Sequence, residues 1–192
     1  MSSLRLALVA LGIGLALGTA ESARAQLCFG QTPTITGTGA IVGTPERDVI
    51  LGSPSDDKID GKGGSDVICG AEGDDRIKAR DGSIQVDGGP GDDRIRVKAR
   101  GNGGIVLLGG DGDDLIQFAS GGGGGNAVDG GAGDDEIRFK GQGGGSNTVN
   151  GGDGDDFVKF KSGGGGGNTV SGDAGTDTCK GDSDTVVCEV IR

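Results

Sequence analysis

Gly109-Gly110-Asp111-Gly112-Asp113-Asp114-Leu115-Ile116-Gln117-Phe118 is a phrase that this chain repeats with small changes. Its opening hexapeptide recurs as Gly88-Gly89-Pro90-Gly91-Asp92-Asp93, Gly130-Gly131-Ala132-Gly133-Asp134-Asp135 and Gly151-Gly152-Asp153-Gly154-Asp155-Asp156. A looser copy follows at Gly172-Asp173-Ala174-Gly175-Thr176-Asp177, and successive copies begin 21 residues apart. A fixed period of this kind is the signature of a solenoid in which each repeat is one coil.

Each Asp-Asp pair leads into a short alternating strand. Ile95 and Val97, Ile116 and Phe118, Ile137 and Phe139, and Val158 and Phe160 fall on one face, with Arg96, Gln117, Arg138 and Lys159 on the other. The first set is expected to stack as a core ladder. A glycine tract follows, then a second small strand in which Leu107, Val128, Val149 and Val170 recur at one position and can line the opposite wall. One coil thus reads turn, strand, turn, strand.

Upstream the period shortens. Residues 43–51, 52–60, 61–69 and 70–78 are successive nonapeptides that carry Asp48, Asp57, Asp66 and Asp75 two places before Ile50, Ile59, Ile68 and Ile77. Residues 79–87 keep the length but lose the glycine and aspartate signature.

Over about residues 43–180 the pattern Gly-Gly-x-Gly-x-Asp-x-(apolar)-x resembles the RTX, or haemolysin-type, calcium-binding repeats. That resemblance implies a right-handed parallel β-roll with Ca²⁺ held between turns and two nonapeptides to a coil. The expected fold is all-β, a parallel β-roll or β-helix solenoid whose 18-residue coils change to 21-residue coils. Counted by whole coils, turns beginning at Gly52, Gly70, Gly88, Gly109, Gly130, Gly151 and Gly172 share one edge, and those at Gly43 and Gly61 share the other. On the second edge the later turns are glycine tracts without carboxylates. The expectation is a one-sided calcium ladder with up to six sites between its seven turns, and one more where Asp48 stacks on Asp66.

By the same resemblance the second aspartate of each turn is the ligand: Asp57, Asp75, Asp93, Asp114, Asp135, Asp156 and Asp177, with Asp48 and Asp66 on the other edge. Ca²⁺ takes about six to eight oxygens, many of them backbone carbonyls. Gly89, Gly91, Gly110, Gly112, Gly131, Gly133, Gly152 and Gly154 are the expected carbonyl donors, because glycine accepts the positive φ that turns successive carbonyls inward. The preceding aspartates, Asp56, Asp74, Asp92, Asp113, Asp134 and Asp155, are read as outer negative charge. Thr44-Pro45-Glu46 and Ser53-Pro54-Ser55 depart from the glycine pattern in the first turn of each edge. Asp and Gly also favour tight turns without any metal. A vertical stack of bare carboxylates, however, repels itself at every coil.

Residues 1–25 read as a secretory signal peptide: Arg5, an apolar run from Leu6 to Leu17, and Ala23-Arg24-Ala25 as the cleavage site. The run is too short to span a bilayer, so neither an anchor nor membrane insertion is expected. Residues 26–42 are read as an N-terminal cap, 43–180 as the calcium-binding roll and 181–192 as a C-terminal cap. Cys28, Cys69, Cys179 and Cys188 all follow the signal, and their positions make Cys28 with Cys69 and Cys179 with Cys188 the simplest of three pairings.

The net charge of −11 argues against nucleic acid as a partner. The chain has no histidine and shows no catalytic motif, so an enzyme is not expected. What remains is a secreted, calcium-folded structural or interaction protein. The alternative is a calcium-dependent adhesin for an anionic polysaccharide or a cell surface. Arg96, Lys98, Arg100, Arg138, Lys140, Lys159 and Lys161 form a basic strip that reads either as a solvated face or as the binding strip of that adhesin.

Overall fold

A computed structural model describes residues 26–100, 103–142, 145–163, 166–181 and 188. The signal-peptide reading and most of the C-terminal cap lie outside the described residues, as do Gly143, Gly144, Gly164 and Gly165 of the glycine tracts.

All the described regular structure is strand, in two eight-stranded parallel sheets between which the chain alternates. The first sheet takes β1 (Ile35–Thr36), β3 (Val49–Leu51), β5 (Val67–Cys69), β7 (Gln85–Pro90), β9 (Val106–Asp111), β11 (Ala127–Ala132), β13 (Thr148–Asp153) and β15 (Thr169–Ala174). The second takes β2 (Ala40–Val42), β4 (Lys58–Asp60), β6 (Arg76–Arg80), β8 (Arg94–Ala99), β10 (Leu115–Ser120), β12 (Glu136–Gly141), β14 (Phe157–Ser162) and β16 (Thr178–Gly181). This is the parallel β-roll expected from the repeat. Ile59 pairs with Ile77 and Ile77 with Ile95, 18 residues apart; Ile95 then pairs with Ile116 and Ile116 with Ile137, 21 apart.

The core is a single layer between the sheets. Ile41, Ile59, Ile77, Ile95, Ile116, Ile137 and Val158 form one buried column, and Ile50, Ile68, Val86, Leu107, Val128, Val149 and Val170 form the facing one. A third column grows with coil length. Ala79 pairs with Val97, Val97 with Phe118, Phe118 with Phe139 and Phe139 with Phe160. The three residues added per coil widen the interior, and phenylalanine rings fill it, with centroids 4.9 and 4.8 Å apart.

The lead-in does more than cap. β1 pairs with β3 and β2 with β4, so a complete coil already lies before Gly43. Ahead of it, Cys28 covers the outer face of the first sheet, where Val49, Leu51, Val67 and Cys69 make a second buried cluster. β3 and β5 are therefore buried on both faces, which accounts for their continuous apolar runs. The Cys28–Cys69 disulfide fixes this cover, and Cys179 is bonded to Cys188.

Candidate metal centre

The turns from the first sheet into the second build one edge of the roll. In each, glycine allows a backbone that other residues resist: Gly110 and Gly112 sit at φ +129° and +127°. A side chain on Gly110 would collide with the carbonyl of Gly89, and one on Gly112 with that of Gly91. The same relation joins Gly131 to the Gly110 carbonyl, Gly133 to that of Gly112, Gly152 to that of Gly131 and Gly154 to that of Gly133. The carbonyls expected as donors thus face along the roll axis, onto the α-carbon of the next coil.

Buried beneath each turn is the second aspartate of its pair. Its Oδ1 accepts the backbone N–H of the equivalent aspartate one coil earlier, as in Asp75 to Asp93 (2.7 Å), Asp93 to Asp114 (2.7 Å), Asp114 to Asp135 (2.8 Å) and Asp135 to Asp156 (2.8 Å). Asp57 donates to Asp75, Asp156 to Asp177 and, on the other edge, Asp48 to Asp66. The Oδ2 atoms of Asp66, Asp75, Asp93, Asp114, Asp135, Asp156 and Asp177 are buried and have no hydrogen-bond partner. An unpartnered carboxylate oxygen inside a fold is expensive, and here the omission recurs at every coil.

Burial pushes the carboxyls of Asp93, Asp114 and Asp135 up to about 7, with neighbouring carboxylates adding to the rise and the N–H bonds opposing it. Asp66, Asp75 and Asp156 rise to about 6 for the same first reason. Among the described residues no three Asp, Glu, Cys or His side chains converge. The oxygens available per turn are instead one orphaned carboxylate oxygen and backbone carbonyls. The carbonyl of Gly130, for example, reaches the α-carbon of Gly109 beside Asp114 Oδ2. Such an all-oxygen, glycine-lined, negatively charged set fits Ca²⁺, which accepts irregular oxygen coordination.

The first turn on each edge differs. Asp57 Oδ2 accepts from the backbone N–H (2.6 Å) and hydroxyl (3.0 Å) of Ser53, and Asp48 Oδ2 from those of Thr44 (2.7 and 3.0 Å). Hydroxyl residues in place of the second glycine thus satisfy these two carboxylates internally. The outer aspartates are also part of the framework, since Oδ1 of Asp56, Asp74, Asp92, Asp113, Asp134 and Asp155 each accepts the N–H of the residue one coil later. The inner and outer columns therefore reach in opposite directions along the axis.

On the second edge the register of Asp48 and Asp66 continues through Ile84 and Ile105 to Asn126, Asn147 and Asn168. Asn126 Nδ2 donates to Asn147 Oδ1 and Asn147 Nδ2 to Asn168 Oδ1, both at 2.8 Å. Each Oδ1 also takes the backbone N–H one coil earlier, from Ile105, Asn126 and Asn147. A neutral amide does here what the carboxylate does on the first edge, and it needs no cation. Sequence reading misses this ladder, the Thr44 and Ser53 closures, and the close approach of the first glycine of each turn to Oδ2. The asparagine after each glycine tract is the visible signal.

Stacked turns with one orphaned carboxylate oxygen per coil define a calcium-binding β-roll. Residues 42–77, 70–97, 143–159 and 162–185 match the RTX calcium-binding nonapeptide repeat, and the chain belongs to that family, whose repeats bind Ca²⁺. The turns at Gly109 and Gly130 lie between the matched segments yet carry the same hydrogen bonds. No curated protein and no solved structure matches the chain.

Proposed function

We propose that this protein is an exported scaffold whose β-roll is completed by calcium outside the cytoplasm, in a structural or interaction role rather than a catalytic one. The observation that carries this reading is seven buried Oδ2 atoms without partners, six in a column on the first edge and that of Asp66 on the second. Asp75, Asp93, Asp114, Asp135, Asp156 and Asp177 would hold the ions on the first edge and Asp66 on the second, with the carbonyls of Gly89, Gly91, Gly110, Gly112, Gly131, Gly133, Gly152 and Gly154. Bound calcium supplies the positive charge that the stacked carboxylates lack. Asp57 and Asp48, closed by Ser53 and Thr44, serve as terminal rungs. Two disulfides and the signal-like residues 1–25 support a destination outside the reducing cytoplasm.

The test is a calcium titration of the chelator-treated, disulfide-intact protein followed by circular dichroism, repeated on Asp114→Ala and Asp135→Ala. The expected result is a cooperative gain of β signal that both variants weaken together, because neighbouring turns share ions. An unchanged spectrum and melting point with and without calcium would overturn the proposal.

A further inference from the structure

The outer face of the second sheet carries a charge pattern that calcium binding leaves unexplained. Of the described Lys and Arg residues only Arg47 lies elsewhere; every other one is on this sheet or in the turn just beyond it. No strand of the first sheet contains Lys or Arg, although the whole chain is acidic at −11.

Parallel pairing sets these cations in rows along the axis. One row runs Lys78, Arg96, Gln117, Arg138, Lys159, Lys180. Beside it run Arg80, Lys98, Ala119, Lys140 and Lys161. Neighbours within a row are about 4.8 Å apart and the rows about 7 Å apart. Like charges stand directly opposite one another at Arg76 with Arg94, Lys78 with Arg96, Arg80 with Lys98, Arg138 with Lys159 and Lys140 with Lys161. Such pairs destabilise a sheet. The carboxylates within this sheet's strands are Asp60 and Glu136 alone. Among the described residues Lys78, Arg96, Lys98, Lys140, Lys159 and Lys161 make no ion pair, and all six are exposed. Lys78, Arg80, Arg96, Lys98 and Arg100 also line a shallow trough over β6 and β8.

We infer that this face is a docking surface for a linear anionic polysaccharide, a chain bearing a carboxylate or sulfate on most of its sugars. The inference rests on the calcium-folded, exported roll proposed above and names its partner. Two blocks of exposed cations at the strand spacing, separated by Gln117 and Ala119 and with Arg80, Arg100 and Arg138 among them paired to carboxylates, complement a polymer with recurring negative charge. The face offers no aromatic platform for stacking bases, since its one ring, Phe157, lies under Lys180 at 5.3 Å. Its apolar side chains are too few and too scattered to enter a bilayer, since Val42 stands exposed alone on β2 and Leu115 is half-buried. Gln117, midway along the central row, can bond sugar hydroxyls where the two basic halves meet.

The test measures binding of the full secreted chain, at saturating calcium, to chondroitin sulfate, neutral dextran, duplex DNA and anionic lipid vesicles. The expected result is retention by chondroitin sulfate and not by dextran. Arg96→Glu/Arg138→Glu/Lys159→Glu should weaken that binding at least about tenfold and flatten its salt dependence by about two to three charges. Arg47→Glu, off the face, should leave it unchanged, and both variants should keep the calcium-dependent circular dichroism. Loss of binding in the neutral triple variant Arg96→Gln/Arg138→Gln/Lys159→Gln would support the same face without introducing repulsion. No retention by chondroitin sulfate, retention that survives the triple variants, or tighter binding to DNA or vesicles would each overturn the inference. Failure of the calcium response itself would instead overturn the folding proposal.

Discussion

The backbone N–H of Asp114 donates to Oδ1 of Asp135 across 2.8 Å, so each inner carboxylate closes the turn of the coil before its own. Its two oxygens have separate duties, since Oδ1 satisfies the backbone and Oδ2 is left without a partner. Asp135→Asn keeps an acceptor for the Asp114 N–H while removing the charge. Calorimetry should show calcium binding weakened about tenfold or more, with the metal-free roll no less stable. Asp135→Ala also orphans the Asp114 N–H and should cost a further 1–3 kcal/mol or so in urea unfolding.

Acidity should substitute in part for the ion. The carboxyls of Asp93, Asp114 and Asp135 sit near 7 in the folded chain, and those of Asp66, Asp75 and Asp156 near 6, all raised by burial. A raised folded value means that folding favours the proton. That contribution is complete below about pH 4, the unfolded carboxyl value, and is lost as pH rises through 6 to 7. Metal-free protein should therefore lose melting temperature across that window, whereas calcium-loaded protein should not. Calcium uptake near neutral pH should release protons, visible as a binding enthalpy that changes with the buffer.

Asn147 accepts from Asn126 and donates to Asn168 within an amide column whose last nitrogen, Asn168 Nδ2, is buried without a partner. Asn147→Asp removes the donor and places a buried charge beside Asn168 Oδ1 in a turn that lacks the Gly-Gly-x-Gly backbone. We expect a loss of roughly 3 kcal/mol at neutral pH. Denaturant melts should show recovery on acidification and little rescue by calcium.

The Cys28–Cys69 bond closes a separation of 41 residues over the only doubly buried strands of the described roll. Chain-entropy reckoning gives such a loop about 4 kcal/mol. Cys28→Ser should lower stability by up to that amount and expose Val49, Leu51 and Val67 to hydrophobic dye, with calcium binding at Asp135 retained.

The period, the two coil lengths and the faces of Ile95 and Val97 are legible in the sequence because each follows from local spacing, whereas the cystine pairing reads only as the simplest of three. Interactions between coils are not. Asn126 lies in the register of Asp66, but Ile84 and Ile105 intervene and the coil lengthens on the way, so no fixed offset links the two. The coil at β1 and β2 reads as a cap because Pro33 to Gly39 carries no repeat; its pairing is a property of the stack. Ser53 and Thr44 look like departures from a pattern, and only three-dimensional proximity shows their hydroxyls meeting Asp57 and Asp48.

Those two hydroxyl closures give assembly a direction. The amino-terminal rungs have their Oδ2 atoms hydrogen-bonded, are stapled by a cystine and present a ready-made pair of strand edges, so they can act as a seed in the absence of any ion. Each later rung keeps an Oδ2 without a partner, which on the calcium proposal a cation would complete. On the calcium-binding proposal, growth is expected to run from the amino end as ions are taken up, and chelation should fray the roll from its far end first.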